Sequence, residues 1–272
     1  MKVHFAQLNQ EEQRVLARLK ATLALRLAEK AWDADPALRQ SASARGVAMK
    51  IGVGGAGSSM SLDVPAEAVP EPEKARARRP SLKLYFPSAE AAVKVLSGAK
   101  GFAIPLPLRG GAFSALGFFK RASSRATELL RDPATPAEIK ANLLLAATLF
   151  GLQAIAGESY LARRMRIVPD GTVRVRVEDI EYIVIKNGNS IKVQKNASAH
   201  ATTSAGNFLE PTLADAELSF ADYRSAIEVL SGARQAVVAL GSGQVRIEGL
   251  LPLVQGLFAV LDRLSWYLGV EL

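Results

Sequence analysis

Apolar residues fall into alternating helical and strand periods along the chain. Val15, Leu16, Leu19, Leu23, Leu27 and Ala31 recur at steps of three and four, which predicts a helix over 11–31. The segment 137–161 is a second helix candidate. Its central run, Ala141 to Gly157, carries no charge over seventeen residues. That is shorter than the ~20 residues needed to cross a bilayer, and Asn142, Thr148 and Gln153 interrupt it. A buried core helix is the expectation.

Strand periods follow each helix. VAMKIGV (47–53) and SMSLDV (59–64) precede a Pro-rich charged segment, and IEYIVIK and SIKVQK flank the turn Asn187-Gly188-Asn189. Val173, Val175 and Val177 alternate with arginines, as in a half-exposed strand, whereas Ile183, Val184 and Ile185 are continuous, as in a strand covered on both faces. With Leu218/Phe220 and Val245/Ile247, five strands are expected in the second half. Short turns between neighbours predict a mainly antiparallel sheet and an α+β class.

The chain also matches itself. LYFPSAEAAVKVLSGA (84–99) aligns without gaps to LSFADYRSAIEVLSGA (218–233), an offset of 134 with eight of sixteen positions identical. In each copy a short helix follows the strand. Ser88 and Asp222 are its N-caps, Ala89/Val93/Leu96 and Tyr223/Ile227/Leu230 its buried faces, and Gly98 and Gly232 its left-handed stops. The halves thus read as two tandem units, 1–132 and 133–272, parted near RDPATP (131–136). A helix from Leu250 to Leu268 closes the second, with Leu253, Leu257, Val260, Leu261 and Leu264 inward. Leu250, Leu251, Val254, Phe258 and Trp266 lie off that face. In the first unit the matching strand contains Pro105 and Pro107, so it is an edge or is missing.

Composition removes several chemistries. The 272 residues include no cysteine and only His4 and His200, which excludes disulfides, thiolate sites and histidine-rich metal centres. The N-terminus lacks the apolar core of a signal peptide, so a cytoplasmic location is expected. The net charge of +8 is concentrated in residues 1–134. Arg76, Arg78 and Arg79 make that half a candidate for an anionic membrane surface or a partner enzyme; without interleaved aromatics, nucleic acid is not expected.

Residues 215–264, DAELSFADYRSAIEVLSGARQAVVALGSGQVRIEGLLPLVQGLFAVLDRL, resemble the sterol carrier protein family, type two, in a pattern that covers about 171–264. The marks are the strand GQVRIEG (243–249), the helix stop LSG (230–232) and the apolar final helix. The first half resembles the family more remotely. The resemblance implies a helix-covered sheet around an apolar tunnel for sterols, fatty acyl chains or isoprenoid lipids, with carriage or an accessory role in quinone metabolism. The candidate lining is Leu218 and Phe220 on one strand, Val245 and Ile247 on another, Ile227 and Leu230 on the short helix, and Leu253, Leu257, Phe258 and Leu261 on the last helix. No cofactor, metal or catalytic group is expected. The alternative is a ligand-free interaction module formed as a pseudo-dimer of the two units.

Three motifs are set aside. Gly52-Val-Gly54-Gly-Ala-Gly57 is a literal G-x-G-x-x-G, but strand-like residues rather than a helix follow it, and the repeat equates it with the Asn187-Gly188-Asn189 turn. Ser97-Gly-Ala-Lys100 fits a nucleophile pattern, but Arg234 replaces the lysine in the second unit and cannot act as a base. Asn196-Ala-Ser198 is a glycosylation sequon without a secretory context, and His200 sits in a small-residue loop without ligand partners.

Overall fold

The structure is a computed structural model that describes residues 3–41, 47–54, 59–64, 82–107, 112–196 and 214–271. Arg76, Arg78, Arg79, Ser198 and His200 lie outside the described residues. The chain divides into two compact units, Met1–Thr135 with Gly269–Leu272, and Pro136–Leu268.

The first unit begins with the two-residue strand β1 (Val3–His4) and helix α1 (Gln10–Ala34). Asn9 caps α1 through a reciprocal pair: its side chain accepts from the Glu12 amide at 2.9 Å, and Glu12 accepts from the Asn9 amide at 3.0 Å. The buried stripe includes Val15, Leu16 and Leu19, then moves to Leu25 and Ala28, leaving Leu23 and Leu27 half-buried. Then come α2 (Pro36–Ser41), β2 (Val47–Val53), β3 (Ser59–Val64), β4 (Leu82–Phe86), α3 (Ala89–Leu96), β5 (Ile104–Pro107) and α4 (Ala112–Arg131). The sheet order is β3-β2-β4-β5. β5 is an edge strand, where the missing amides of Pro105 and Pro107 cost no ladder bond on the open side.

The second unit runs α5 (Ala137–Ile155), α6 (Ser159–Met165), β6 (Gly171–Val177), β7 (Ile180–Asn187), β8 (Ser190–Lys195), β9 (Ala216–Phe220), α7 (Tyr223–Leu230), α8 (Ala236–Gly241), β10 (Val245–Gly249) and α9 (Leu251–Leu268). Its sheet order is β10-β9-β6-β7-β8. The class is α+β. Three of the four pairings are antiparallel, but β6 and β9 are parallel, as β2 and β4 are in the first unit. The chain crosses back through a hairpin and a long connection to reach β9, so short turns do not describe that step. The last strand, β11 (Val270–Glu271), pairs in parallel with β1 and so belongs to the first unit, although the sequence boundary assigns it to the second.

Both units thus share a strand order and a set of directions, with β8 as an additional edge in the second. By this order β2 and β3 correspond to β6 and β7, not to β7 and β8. The loop after Gly54 therefore corresponds to the Glu178–Asp179 turn rather than to Asn187-Gly188-Asn189. β3 follows it, so no helix N-terminus is offered to a pyrophosphate. Ser97 and Ser231 are helix C-caps, followed by Gly98 and Gly232 at φ 83° and 77°.

The faces of the larger sheet differ sharply. On one, Val173, Val175, Val177, Tyr182, Val184, Ala216, Phe220 and Val245 are buried under helices. On the other, Arg174 meets Glu181 and Glu217 at 3.5 Å and Arg176 meets Glu217 at 3.1 Å. β7 is therefore helix-covered on one face only. Ile183 lies on the charged face between its register partners Arg174 and Gln194, and Ile185 is half-buried.

Candidate functional site

α5 is long and apolar enough to cross a membrane by length and composition, yet most of its large side chains are buried within the second unit. The polar residues that interrupt it have defined roles. Asn142 accepts a hydrogen bond from the Tyr182 hydroxyl at 2.9 Å. Gln153 accepts from the Val193 amide on the edge strand β8 at 2.8 Å. Both bonds hold α5 against the sheet. Thr148 has a different position, beside Leu145 and Leu149 on the wall of a cavity.

That cavity has a volume of about 270 Å³. Its floor is the helix-covered sheet face at Val175, Leu218, Phe220 and Val245, and its walls come from α5, α7, α8 and α9. β9 registers Leu218 against Val175, and Phe220 against both Val177 and Val245, so these side chains rise on one side of the sheet. Asp222 accepts from the Ser225 amide at 2.6 Å and starts α7, which delivers Val229 and Leu230. α8 adds Ala236 and Leu240. Among the described residues, the polar lining side chains are Thr148, Asp262 and Ser265. Asp262, Ser265 and Leu268 are the exposed ones, which places the opening along the C-terminal half of α9.

α9 carries two adjacent stripes. Leu253, Leu257, Val260, Leu264 and Tyr267 are buried in the core of the unit. Phe258, Leu261, Ser265 and Leu268, one residue round the helix, face the cavity. A buried cluster fixes this rotation. The Glu158 side chain, 2% exposed, accepts from Arg263 Nε at 2.9 and 3.0 Å and from a second Arg263 nitrogen. The Tyr267 hydroxyl donates to it at 2.8 Å. The guanidinium of Arg263 also lies 3.9 Å from the Trp266 ring centroid and 4.9 Å from that of Tyr267.

Of the ten candidate lining residues, the structure brings six together: Leu218, Phe220, Leu230, Val245, Phe258 and Leu261. The other four do not line the cavity. Ile227 is half-buried on α7 away from it, and Ile247 sits half-buried on the outer strand β10. Leu253 and Leu257 belong to the core stripe of α9. Sequence reasoning missed Leu145, Thr148 and Leu149, although their helix was recognised, because α5 is apolar around its circumference. It missed Ala236 and Leu240 because the sequence pattern assigns no element between the helix stop at Gly232 and the strand at 243–249. The off-face position of Phe258 was the available signal for the true lining stripe.

No protein-family profile matches the chain, and no curated protein matches it. Solved structures align over parts of it. The chain is similar to a UbiJ-SCP2 ubiquinone synthesis protein at 18% identity, over 52% of this chain and 84% of that one, with a TM-score of 0.27. It is similar to the sterol carrier protein domain 2 of Helicoverpa armigera at 15% identity, over 49% and 92%, with a TM-score of 0.31. It is also similar to the stereoselective inverting sec-alkylsulfatase Pisa1 from Pseudomonas sp. at 14% identity, over 63% of this chain and 24% of that one, with a TM-score of 0.31.

Proposed function

We propose that the second unit binds a hydrophobic lipid in the cavity under α9 and carries or presents it without chemical change, and that the two units are tandem copies of one sterol-carrier-like domain. The observation that carries the reading is the wall itself. Apolar side chains from three strands and four helices converge on an open space, and polar groups occur at only three positions. A volume of about 270 Å³ lies at the lower end of ligand pockets, which suits an alkyl or isoprenoid chain better than a broad ring system. The carrier reading rests on Thr148, Asp262 and Ser265 including no histidine, lysine or second carboxylate that could act as a base. The basic first half is the surface assigned to an anionic membrane or a partner enzyme.

The test pairs two neighbouring residues on α9. Leu261→Trp places a ring in the cavity and should remove one equivalent of a fluorescent acyl-chain probe while the protein stays folded. Leu257→Trp enters packed core and should cost roughly 1–3 kcal/mol in urea unfolding. Organic extraction of the purified protein should yield a lipid by mass spectrometry. If no lipid is extracted and Leu261→Trp is as destabilising as Leu257→Trp with probe binding unchanged, the space is ordinary core and the interaction module replaces the carrier.

A further inference from the structure

The first unit contains its own apolar cavity, of about 420 Å³, between the sheet at Leu84 and Pro105 and helices α1, α3 and α4. It occupies the same place in its unit as the second-unit cavity does. Leu84, Val95 and Leu96 on its wall match Leu218, Val229 and Leu230 at the offset of 134. Beyond α3 the offset becomes 142. Ala103 matches Val245, Leu116 matches Phe258, and Phe119 matches Leu261, again lining residue for lining residue. The change of offset falls where the second unit has α8. Leu96 is joined to Ala103 without a helix, so no counterpart of Ala236 and Leu240 narrows the first cavity.

The polar positions match as well, with one reversal of charge. Ser123 corresponds to Ser265, but Lys120 stands where Asp262 stands in the second unit. Lys120 is exposed, and among the described residues no carboxylate lies within salt-bridge distance of it. Ser123 lies on the cavity wall and its Oγ is buried with no hydrogen-bond partner among the described residues, a costly state that the hydroxyl relieves by turning into the cavity to meet a ligand acceptor.

We propose that the first unit is a second binding site, and that it takes a single-chain amphiphile with a carboxylate head. The chain fills the space between Leu84, Val95, Leu116 and Phe119, and the carboxylate accepts from Ser123 Oγ and pairs with Lys120. One cation and one hydroxyl suit a monovalent head better than a phosphate, which has more acceptors to satisfy. The site does not depend on the second-unit cavity, where Asp262 disfavours an anion at the corresponding position.

The experiment uses the full chain carrying Leu261→Trp, so that the second-unit cavity is filled, with hexadecanoate and hexadecanol as probes. Native mass spectrometry should show one bound hexadecanoate. Adding Phe119→Trp should abolish it with the thermal transition retained. Lys120→Glu should weaken hexadecanoate about tenfold, as expected for reversing one exposed charge pair, and leave hexadecanol unchanged. The second variant is needed because Phe119→Trp alone could act through folding. Hexadecanoate binding that survives Phe119→Trp in folded protein, or an acid-to-alcohol preference untouched by Lys120→Glu, overturns the proposal. Absence of hexadecanoate binding also overturns it, and leaves the second-unit reading to its own test in protein without Leu261→Trp.

Discussion

Removing the Glu158 carboxylate should destabilise the second unit about as much as truncating one of its buried leucines. In Glu158→Ala the Arg263 guanidinium, its side chain only 15% exposed, loses the Glu158 carboxylate, and the hydroxyl of the fully buried Tyr267 loses its bond to it. Breaking a buried ion pair from one side costs about 3–5 kcal/mol, and an orphaned buried hydroxyl about 1–3. Because Arg263 retains some contact with water and the two losses share one carboxylate, about 3–4 kcal/mol is expected for the pair. For a unit of this size that corresponds to a melting temperature lower by roughly 10–15 °C. Trp266, beside Arg263, is the natural probe. With Trp32→Phe the fluorescence reports the second unit alone, because Trp32 lies in the first. Urea unfolding would then give the cost directly. Adding Arg263→Met should recover most of the loss, since the stranded charge goes with it and an apolar chain of similar length remains. A cost below about 1 kcal/mol, or a double variant no more stable than Glu158→Ala, would refute the reasoning.

Two further outcomes follow from side chains outside the cavity. Burial, and then the hydroxyl's bond to Asp179, hold the Tyr223 phenol pKa well above its ordinary value. The stabilisation it gives is complete below the ordinary tyrosine range and is lost as pH rises beyond it, so alkaline stability should fall in the parent and less in Tyr223→Phe, followed by phenolate absorbance. A Cβ at Gly256 on α9 would lie 2.4 Å from Val168 Cγ1 and 2.6 Å from Cγ2, so Gly256→Ala should cost about 1–3 kcal/mol by chemical denaturation, and Val168→Ala in the same chain should restore most of it.

Local chemistry was legible wherever it is self-contained. The N-caps Ser88 and Asp222, the left-handed stops Gly98 and Gly232 and the Asn-Gly-Asn hairpin all act within a few residues, and each is present. What was misread depends on partners distant in sequence. That β6 lies beside β9 is decided by ladder bonds between strands separated by a hairpin and a long connection, and neither strand carries a local mark of it. The first hairpin was therefore matched to the wrong pair of strands. At the site, Leu218, Phe220 and Val245 were legible because strand alternation assigns a side, whereas the α7 face expected at Tyr223, Ile227 and Leu230 is only half-buried and the helix buries Ser225 and Ala226 instead. On α9 two apolar stripes differ by one residue, and composition does not say which meets the sheet. The deciding contact is Arg263 with Glu158, more than a hundred positions away in sequence.

On the carrier reading, the six-residue helix α8 bears on how readily a ligand leaves. α9 is locked in rotation by Glu158, α5 is tied to the sheet by Asn142 and Gln153, and the floor strands are held by their ladders. α8 is the shortest of the four wall helices, with Val237 and Val238 exposed at 77% and 54%. The proposed cavity already opens along the C-terminal half of α9, and a lift of α8 would widen it, a motion of the microsecond-to-millisecond class. The first unit has no helix at the equivalent place, so under the same proposal its ligand would exchange without that motion. One chain would hold two compartments of similar architecture and different dwell times, a slow store and a fast one.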